Sequence, residues 1–99
     1  MHNLNVRILG PSSFILTLIQ LKKYLKFNPI SENLEDNISI ILFHVDALQN
    51  KIQKNYIDNN KSIKICLGKR KNLLDHFDAN LELPATLKEI NEIVESTAA

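Results

Sequence analysis

Short stretches of the chain carry the hydrophobic and polar patterns of β-strands. Residues 4–9 alternate apolar and polar side chains before becoming apolar, and residues 62–67 form a second clear stretch. Residues 38–43 are β-branched and almost continuously apolar, which is typical of a strand covered on both faces. We predict this stretch as the centre of a sheet, with residues 79–83 as a last short strand and residues 30–34 as a weak edge strand.

Between these strands, apolar residues recur three and four positions apart, which predicts helices. The predicted helices cover residues 12–25, 47–57, 69–77 and 86–96. In the second helix Leu48, Ile52 and Tyr56 are four apart and form the stripe expected to be buried. In the last helix Thr86 and Glu89 have the spacing of a capping box, in which two side chains satisfy backbone N–H groups at the helix start.

The order of these elements predicts the fold class. Strands that alternate with helices imply a mostly parallel sheet with helices on both faces, which is a three-layer, doubly wound α/β arrangement. We expect one domain over residues 1–99. Asn28-Pro29 breaks the first helix, and residues 28–37 hold no convincing second helix, so the second strand and helix are expected to be shortened.

Composition and charge narrow the function classes. The chain is 44% hydrophobic and 23% charged, as in soluble globular proteins, and no apolar stretch approaches the ~20 residues that span a bilayer. Its start lacks the pattern of a signal peptide, so we expect a cytoplasmic protein without a membrane partner. Cys66 is the only cysteine and is expected to be buried. The net charge of +1 gives no general field for nucleic acid, although residues 51–71 are mostly basic.

Two stretches resemble a known family. Val6-Arg7-Ile8-Leu9, a break and the helix that follows are similar to the opening strand and first helix of the receiver domain of two-component response regulators, also called CheY-like. Residues 81–90 resemble the end of that domain, where a strand leads through Lys-Pro into a helix with a Leu-x-Glu-Leu pattern. The resemblance implies a flavodoxin-like fold with five strands in the spatial order 2-1-3-4-5.

The resemblance also locates the positions at which receiver domains carry phosphorylation chemistry. The family has an acidic pair after the first strand, an acceptor Asp ending the central strand, a Ser or Thr ending the next strand, and a Lys before the last Pro. None of these residue types stands at the matching places, and Asp46 is the only acid nearby. We name the residues at these places the degenerate receiver pocket: Gly10, Pro11, Ser12, Phe43, His44, Asp46, Leu67, Gly68 and Leu83. Without clustered carboxylates we expect no Mg²⁺-dependent phosphorylation and no other catalysis.

The same residues give little reason to expect a metal or a cofactor. His44 and Asp46 could contact a metal, but two side chains do not complete a ligand set, and neither His2 nor His76 is placed to join them. Gly10 is a lone glycine and forms no phosphate-binding loop. We therefore expect no metal, no small-molecule cofactor and no dinucleotide site.

The leading functional hypothesis is a pseudo-receiver, a non-catalytic and phosphorylation-independent module for dimerisation or protein docking in signalling or transcription control. DNA would be a partner only through an output domain following residue 99. The resemblance implies a dimer face on which basic residues of one copy meet acidic residues of its symmetry mate. The residues of this face would be Lys69, Arg70, Lys71, Asp75, Glu89 and Glu92.

Two alternatives stay open from the sequence. The chain could be an unusual phosphoreceiver that uses Asp46, or a small nucleic-acid-binding protein that uses residues 51–71.

Overall fold

A parallel sheet with helices on both faces organises the part of the chain that the structure describes. In this computed structural model the described residues are 4–31, 38–69 and 77–98. They contain five strands, which are β1 (Asn5–Leu9), β2 (Asn28–Ile30), β3 (Ile38–His44), β4 (Ile63–Leu67) and β5 (Ala79–Leu81). All pairings between them are parallel, and the spatial order is β2-β1-β3-β4-β5.

Three α-helices cover the two faces of the sheet in these residues: α1 (Ser12–Gln20), α2 (Lys51–Asp58) and α3 (Leu87–Ala98). Leu18 of α1 and Val94 of α3 pack in one core cluster with alternate residues of the strands. Ile57 of α2 packs in a second cluster on the opposite face. The α/β class, the strand order and the flavodoxin-like topology predicted from the sequence are therefore confirmed.

The strand β3 lies at the middle of the sheet, as its apolar sequence predicts. Ile40 and Leu42 enter the cluster with α1 and α3, whereas Ile41 and Phe43 enter the cluster with α2. All four side chains are 0% exposed. Burying one such side chain contributes about 1.5–3 kcal/mol, so a strand covered on both faces is the strongest apolar contribution along the chain.

The edge strand β2 covers Asn28–Ile30, so it begins two residues before the predicted stretch 30–34, of which residues 32–34 lie outside the described residues. Asn28 is held to the start of β1, because its backbone N–H donates to the Leu4 carbonyl at 2.8 Å and its Nδ2 donates to Asn5 Oδ1 at 2.9 Å. The helical region has already ended at Tyr24, and Pro29 lies within β2, because an edge strand tolerates the missing N–H of proline.

The second predicted helix is divided, and its predicted buried stripe is wrong at one residue. A 3₁₀ helix covers Val45–Gln49, and α2 begins only after Asn50, whose side chain accepts a hydrogen bond from Gln53 N at 3.0 Å. This new start rotates the following residues relative to a continuous helix. Ile52 is consequently 80% exposed, and Ile57 is buried instead.

Other boundaries also differ from the sequence prediction. The helix α1 ends at Gln20 and is followed by a 3₁₀ turn over Lys22–Tyr24, so the α-helix is shorter than predicted. Strand β5 ends at Leu81, which leaves Leu83 outside the strand. The helix predicted over residues 69–77 falls almost entirely outside the described residues. Within the described ranges, no helix has the length and apolar character needed to cross a membrane.

The predicted capping box at the start of α3 is confirmed. The Thr86 N–H donates to Glu89 Oε1 at 2.9 Å, and the Glu89 N–H donates to Thr86 Oγ1 at 3.1 Å. These hydrogen bonds lower the pKa of the Glu89 carboxyl below its ordinary value. The larger cause is the bond donated by the Thr86 backbone N–H, and the smaller is the bond from the Thr86 hydroxyl.

A single buried side chain fastens α3 to the connection between α1 and β2. Asn91 Oδ1 accepts from the Lys26 N–H at 2.8 Å, and Asn91 Nδ2 donates to the Tyr24 carbonyl at 3.1 Å. Asn91 is only 7% exposed, so its amide satisfies two backbone groups of this connection, one of them at the end of the 3₁₀ turn over Lys22–Tyr24.

Replacing Asn91 tests this fastening. Asn91→Leu keeps a side chain of similar length but removes both hydrogen bonds, so we expect the free energy of unfolding to fall by about 1–3 kcal/mol. Urea unfolding followed by circular dichroism measures the change. The neighbouring exposed substitution Glu92→Gln is the control and should shift stability by less than about 0.5 kcal/mol. Equal unfolding midpoints for the two variants would contradict this role of Asn91.

Candidate functional site

The candidate site lies at the carboxyl ends of the central strands, where open α/β sheets bind their ligands. Leu9 of β1 is in register with Phe43 of β3, and His44 at the end of β3 is in register with Leu67 of β4. The residues that follow these strands are therefore neighbours. The structure thus brings Gly10, His44 and Gly68 to one edge of the sheet, as the topology requires.

Gly10 lies directly against the side chain of His44. Its φ angle is +142°, and a Cβ atom placed on it would lie 2.7 Å from His44 Cβ and 3.1 Å from Phe14 Cδ2. The carbonyl of Gly10 accepts a hydrogen bond from Gln53 Nε2 of α2 at 3.2 Å. The turn after β1 is therefore packed by side chains from both helical layers, and only glycine fits there without strain.

His44 is held by two contacts that orient its ring. Its Nδ1 accepts a hydrogen bond from the Asp46 N–H at 3.0 Å, and its ring meets that of Phe14 edge to face at 5.3 Å between centroids. In this arrangement His44 caps the 3₁₀ helix that follows β3. The neutral ring then carries its proton on Nε2, and the Nδ1 lone pair is already used.

Asp46 lies beside His44 but does not form a strong ion pair with it. Asp46 Oδ2 is 3.7 Å from His44 Nδ1, which is longer than the 3.0 Å bond from the Asp46 N–H to the same atom. One nitrogen cannot accept from the N–H and donate to the carboxylate at once, and the shorter bond has hydrogen-bond geometry. The Asp46 side chain is 54% exposed and points into solvent more than into the sheet edge.

Gly68 repeats the arrangement of Gly10 one strand further along. Its φ angle is +116°, and a Cβ atom there would lie 2.7 Å from Val45 Cγ1. The Gly68 N–H donates to the Leu81 carbonyl at 2.8 Å, which extends the pairing of β4 with β5 by one bond. The chain leaving β3 therefore crosses close to both glycines, His44 over Gly10 and Val45 over Gly68.

The remaining residues of the degenerate receiver pocket are distributed between the core and the surface. Leu67 is fully buried in the cluster with α1 and α3, and Phe43 is buried on the opposite face against Phe77. Leu83 is 37% exposed and follows the end of β5. Pro11 and Ser12 form the start of α1, where Ser12 is exposed.

The sequence analysis missed three side chains that shape this edge. Phe14, Val45 and Gln53 all contact the strand ends, and none belongs to a recognisable motif. Their contacts come from three separate segments of the chain, so no local pattern marks them. Oxygen-rich metal chemistry has few donors here, since no group of three or more His, Cys, Asp or Glu residues that could hold a metal occurs within the described residues.

The dimer face expected from the sequence is partly described. Lys69 is exposed after β4, and Glu89 and Glu92 are exposed on α3. Arg70, Lys71 and Asp75 lie outside the described residues. An open groove of about 730 Å³ runs beside α3 on the side of β5, and we call it the acidic groove. Its described lining residues are Leu81, Glu89, Glu92, Ile93, Glu95 and Ser96.

Comparisons with known proteins leave the fold as the basis for classification. No model of a protein family, no curated protein and no solved structure matches the chain. Its class therefore follows from the strand order and the helices alone, which define a flavodoxin-like α/β fold of the kind that receiver domains also have.

Substitution of Gly10 tests the packing of the sheet edge. Gly10→Ala introduces a Cβ atom at a positive φ and against His44 Cβ, so we expect a loss of more than about 1 kcal/mol in the free energy of unfolding. Chemical denaturation measures the loss.

A double-mutant cycle separates the contact from the backbone strain. His44→Gly removes the nearest atom, so Gly10→Ala should cost less in that background than in the natural sequence, while the cost of the positive φ persists. The same cost in both backgrounds would show that the side chain of His44 does not constrain Gly10.

Proposed function

We propose that the protein is a pseudo-receiver, a non-catalytic and phosphorylation-independent module that acts in signalling or transcription control by binding a protein partner or a second copy of itself. The proposal assigns it to the cytoplasm. It keeps DNA as a partner only through an output domain beyond residue 99. Fold alone is a weak guide to function, so the proposal depends on the residues at the sheet edge.

The observation that supports the proposal most is how the edge of the sheet is filled. In a phosphorylatable receiver this edge needs carboxylates that hold Mg²⁺ and an aspartate that accepts the phosphoryl group. Here the Cβ atom of His44 and the side chain of Val45 lie against the two glycines, so apolar atoms occupy the space directly beside them. Gly10, Pro11 and Ser12 supply no ionised oxygen. A domain with this edge is better suited to presenting its outer surface than to phosphoryl transfer.

Neither alternative gains support from a specific contact. A phosphoreceiver using Asp46 would need further carboxylates near that side chain, and the described residues contain no such cluster. A nucleic-acid site over residues 51–71 would need free lysines. Lys54 instead pairs with Asp58 at 2.7 Å, and Lys64 Nζ donates to the Asn60 carbonyl at 2.6 Å. These two lysines are engaged within the protein, whereas Lys51, Lys61 and Lys69 are exposed.

Phosphorylation is tested directly with a small phosphodonor. We expect the intact mass of the protein to stay unchanged after incubation with Mg²⁺ and acetyl phosphate, because no described cluster of carboxylates would hold the cation against Asp46. An active receiver domain treated in parallel is the positive control. A gain of one phosphoryl group that Asp46→Asn abolishes would overturn the pseudo-receiver and favour the Asp46 phosphoreceiver.

Self-association is tested by charge reversal at the expected dimer face. Glu92→Lys should raise the dimer dissociation constant by on the order of tenfold at low salt in sedimentation experiments, because Glu92 is exposed and would face basic residues of the symmetry mate. Glu92 is chosen over Glu89 because Glu89 also caps α3. Lys69→Glu added to Glu92→Lys should recover part of the affinity by exchanging the two charges.

Lys51→Glu is the matched control for this face, since Lys51 is exposed on α2 across the sheet from α3. Its dissociation constant should equal that of the natural protein. The dimer face would be contradicted if the protein stayed monomeric at every concentration, or if Glu92→Lys left the dimer dissociation constant unchanged. Docking of a different protein partner would then be the remaining form of the proposal.

A further inference from the structure

A second groove lies on the opposite flank of α3 from the acidic groove and has a different character. It has a volume of about 500 Å³, and we call it the Tyr24 groove. Its described lining residues are Tyr24, Lys26, Leu87, Lys88, Asn91 and Glu92. Most of these side chains are exposed, so the groove opens to solvent along its length.

The backbone that carries Tyr24 is held in place by hydrogen bonds, although the Tyr24 ring is exposed. Asn91 holds the Tyr24 carbonyl and the Lys26 N–H, so the backbone of this segment is tied to α3 on both sides of the intervening residue. The Tyr24 side chain is nevertheless among the exposed large apolar groups, at 57%. An exposed aromatic ring on a fixed backbone loses little conformational entropy when a partner covers it, which is typical of residues that dominate binding energy.

Positive charge surrounds this ring. Lys23 Nζ lies 5.1 Å from the centroid of the Tyr24 ring, and Lys88 lines the facing wall. Within the described residues neither lysine has a carboxylate partner. Lys26 is already paired with Glu95 at 3.7 Å, and Glu92 borders the groove further along α3. The unpaired cations therefore lie at the Tyr24 end of the groove.

These features decide the chemistry of the occupant. A small anion would need buried polar groups directed at it, but both the oxygen and the nitrogen of the Asn91 amide are already hydrogen-bonded to the backbone of the facing segment. A nucleic acid would bring a continuous row of phosphates past Glu92 and Glu95, which would repel it. A ligand with an apolar side chain and neighbouring carboxylates suits the groove better. The apolar side chain would pack between Tyr24 and Leu87, and the carboxylates would pair with the lysines.

We propose that the Tyr24 groove binds an acidic peptide segment of a partner protein, with an apolar anchor packed between Tyr24 and Leu87 and carboxylates paired with Lys23 and Lys88. This inference rests on the proposed function, since it names the partner chemistry of a docking module. It places that docking on the flank of α3 opposite the acidic groove, and Glu92 of the expected dimer face borders both grooves.

Peptide display on the natural protein tests the proposal. Selection from a random library of short peptides should enrich sequences with several Asp or Glu residues around one large apolar residue. The affinity of a selected peptide, measured by titration calorimetry, should fall by on the order of tenfold in Tyr24→Ala and in Lys88→Glu, and it should weaken with added salt. Folding is not at risk in Lys88→Glu, because an acid in the first turn suits the helix dipole.

Lys51→Glu is again a matched control, because it makes the same charge change in the first turn of α2 on the other face of the sheet. It should leave peptide affinity unchanged. The proposal is overturned if no peptide is enriched, if the enriched peptides are not acidic, or if Tyr24→Ala and Lys88→Glu bind as tightly as the natural protein. A DNA oligonucleotide that binds and loses affinity in these two variants would also overturn it.

One outcome separates this proposal from the proposed function. Ser96 lines the acidic groove and is exposed. If the enriched peptides are basic and Ser96→Lys weakens their binding while Lys88→Glu does not, the peptide docks in the acidic groove. The module would then still bind a protein partner, but the Tyr24 groove would not be its site.

Discussion

The fold depends on the burial of β3 from both sides. Its alternate side chains enter two separate clusters, one beneath α1 and α3 and the other beneath α2. Backbone groups of a strand buried in this way must all be paired, so β3 requires a neighbouring strand along each edge. The strands β1 and β4 supply these neighbours. The connections between parallel strands must then cross the faces of the sheet, which is where the helices lie.

The same constraint shapes the functional edge. Because β3 continues between its neighbours up to His44, the chain that leaves it must turn across the residues after β1 and β4. Gly10 and Gly68 occupy those places, and the close approach of His44 and Val45 leaves no room for a Cβ atom at either. Among the described residues, the turns after β1 and β4 are therefore packed against the chain that leaves β3. This is the physical basis for proposing that the protein works through its outer surfaces.

The helix α3 connects these surfaces. Its buried side packs on the sheet through Ile90 and Val94, and Asn91 ties it to the segment after α1. Its exposed residues separate two grooves of different character, one lined by acidic side chains and the other by an aromatic ring and lysines. Different charges on two flanks of one helix would allow a small domain to bind two different partners, with Glu92 bordering both grooves.

The amino-acid sequence by itself determined the elements whose signals are local. The apolar run of β3 and the capping box at Thr86 are read from residues that lie next to each other, and both occur as predicted. The alternation of strands and helices also predicted the parallel α/β class, and the resemblance to receiver domains implied the correct sheet order. The strand and the capping box could be predicted because burial on both faces produces a continuous apolar run, and hydrogen bonds over three residues require particular residue types at a fixed spacing.

Only the tertiary structure decided the features that depend on distant segments. The bounds of β2 follow from hydrogen bonds between Asn28 and the start of β1, and the exposure of Ile52 follows from the new helix start at Asn50. Arg7, a polar residue in a strand, is only 8% exposed because its guanidinium lies 5.6 Å from the Tyr56 ring centroid and donates to the Ile30 carbonyl. The packing of the site arises in the same way. Contacts among residues far apart in sequence have no local signature, so folding alone brings them together.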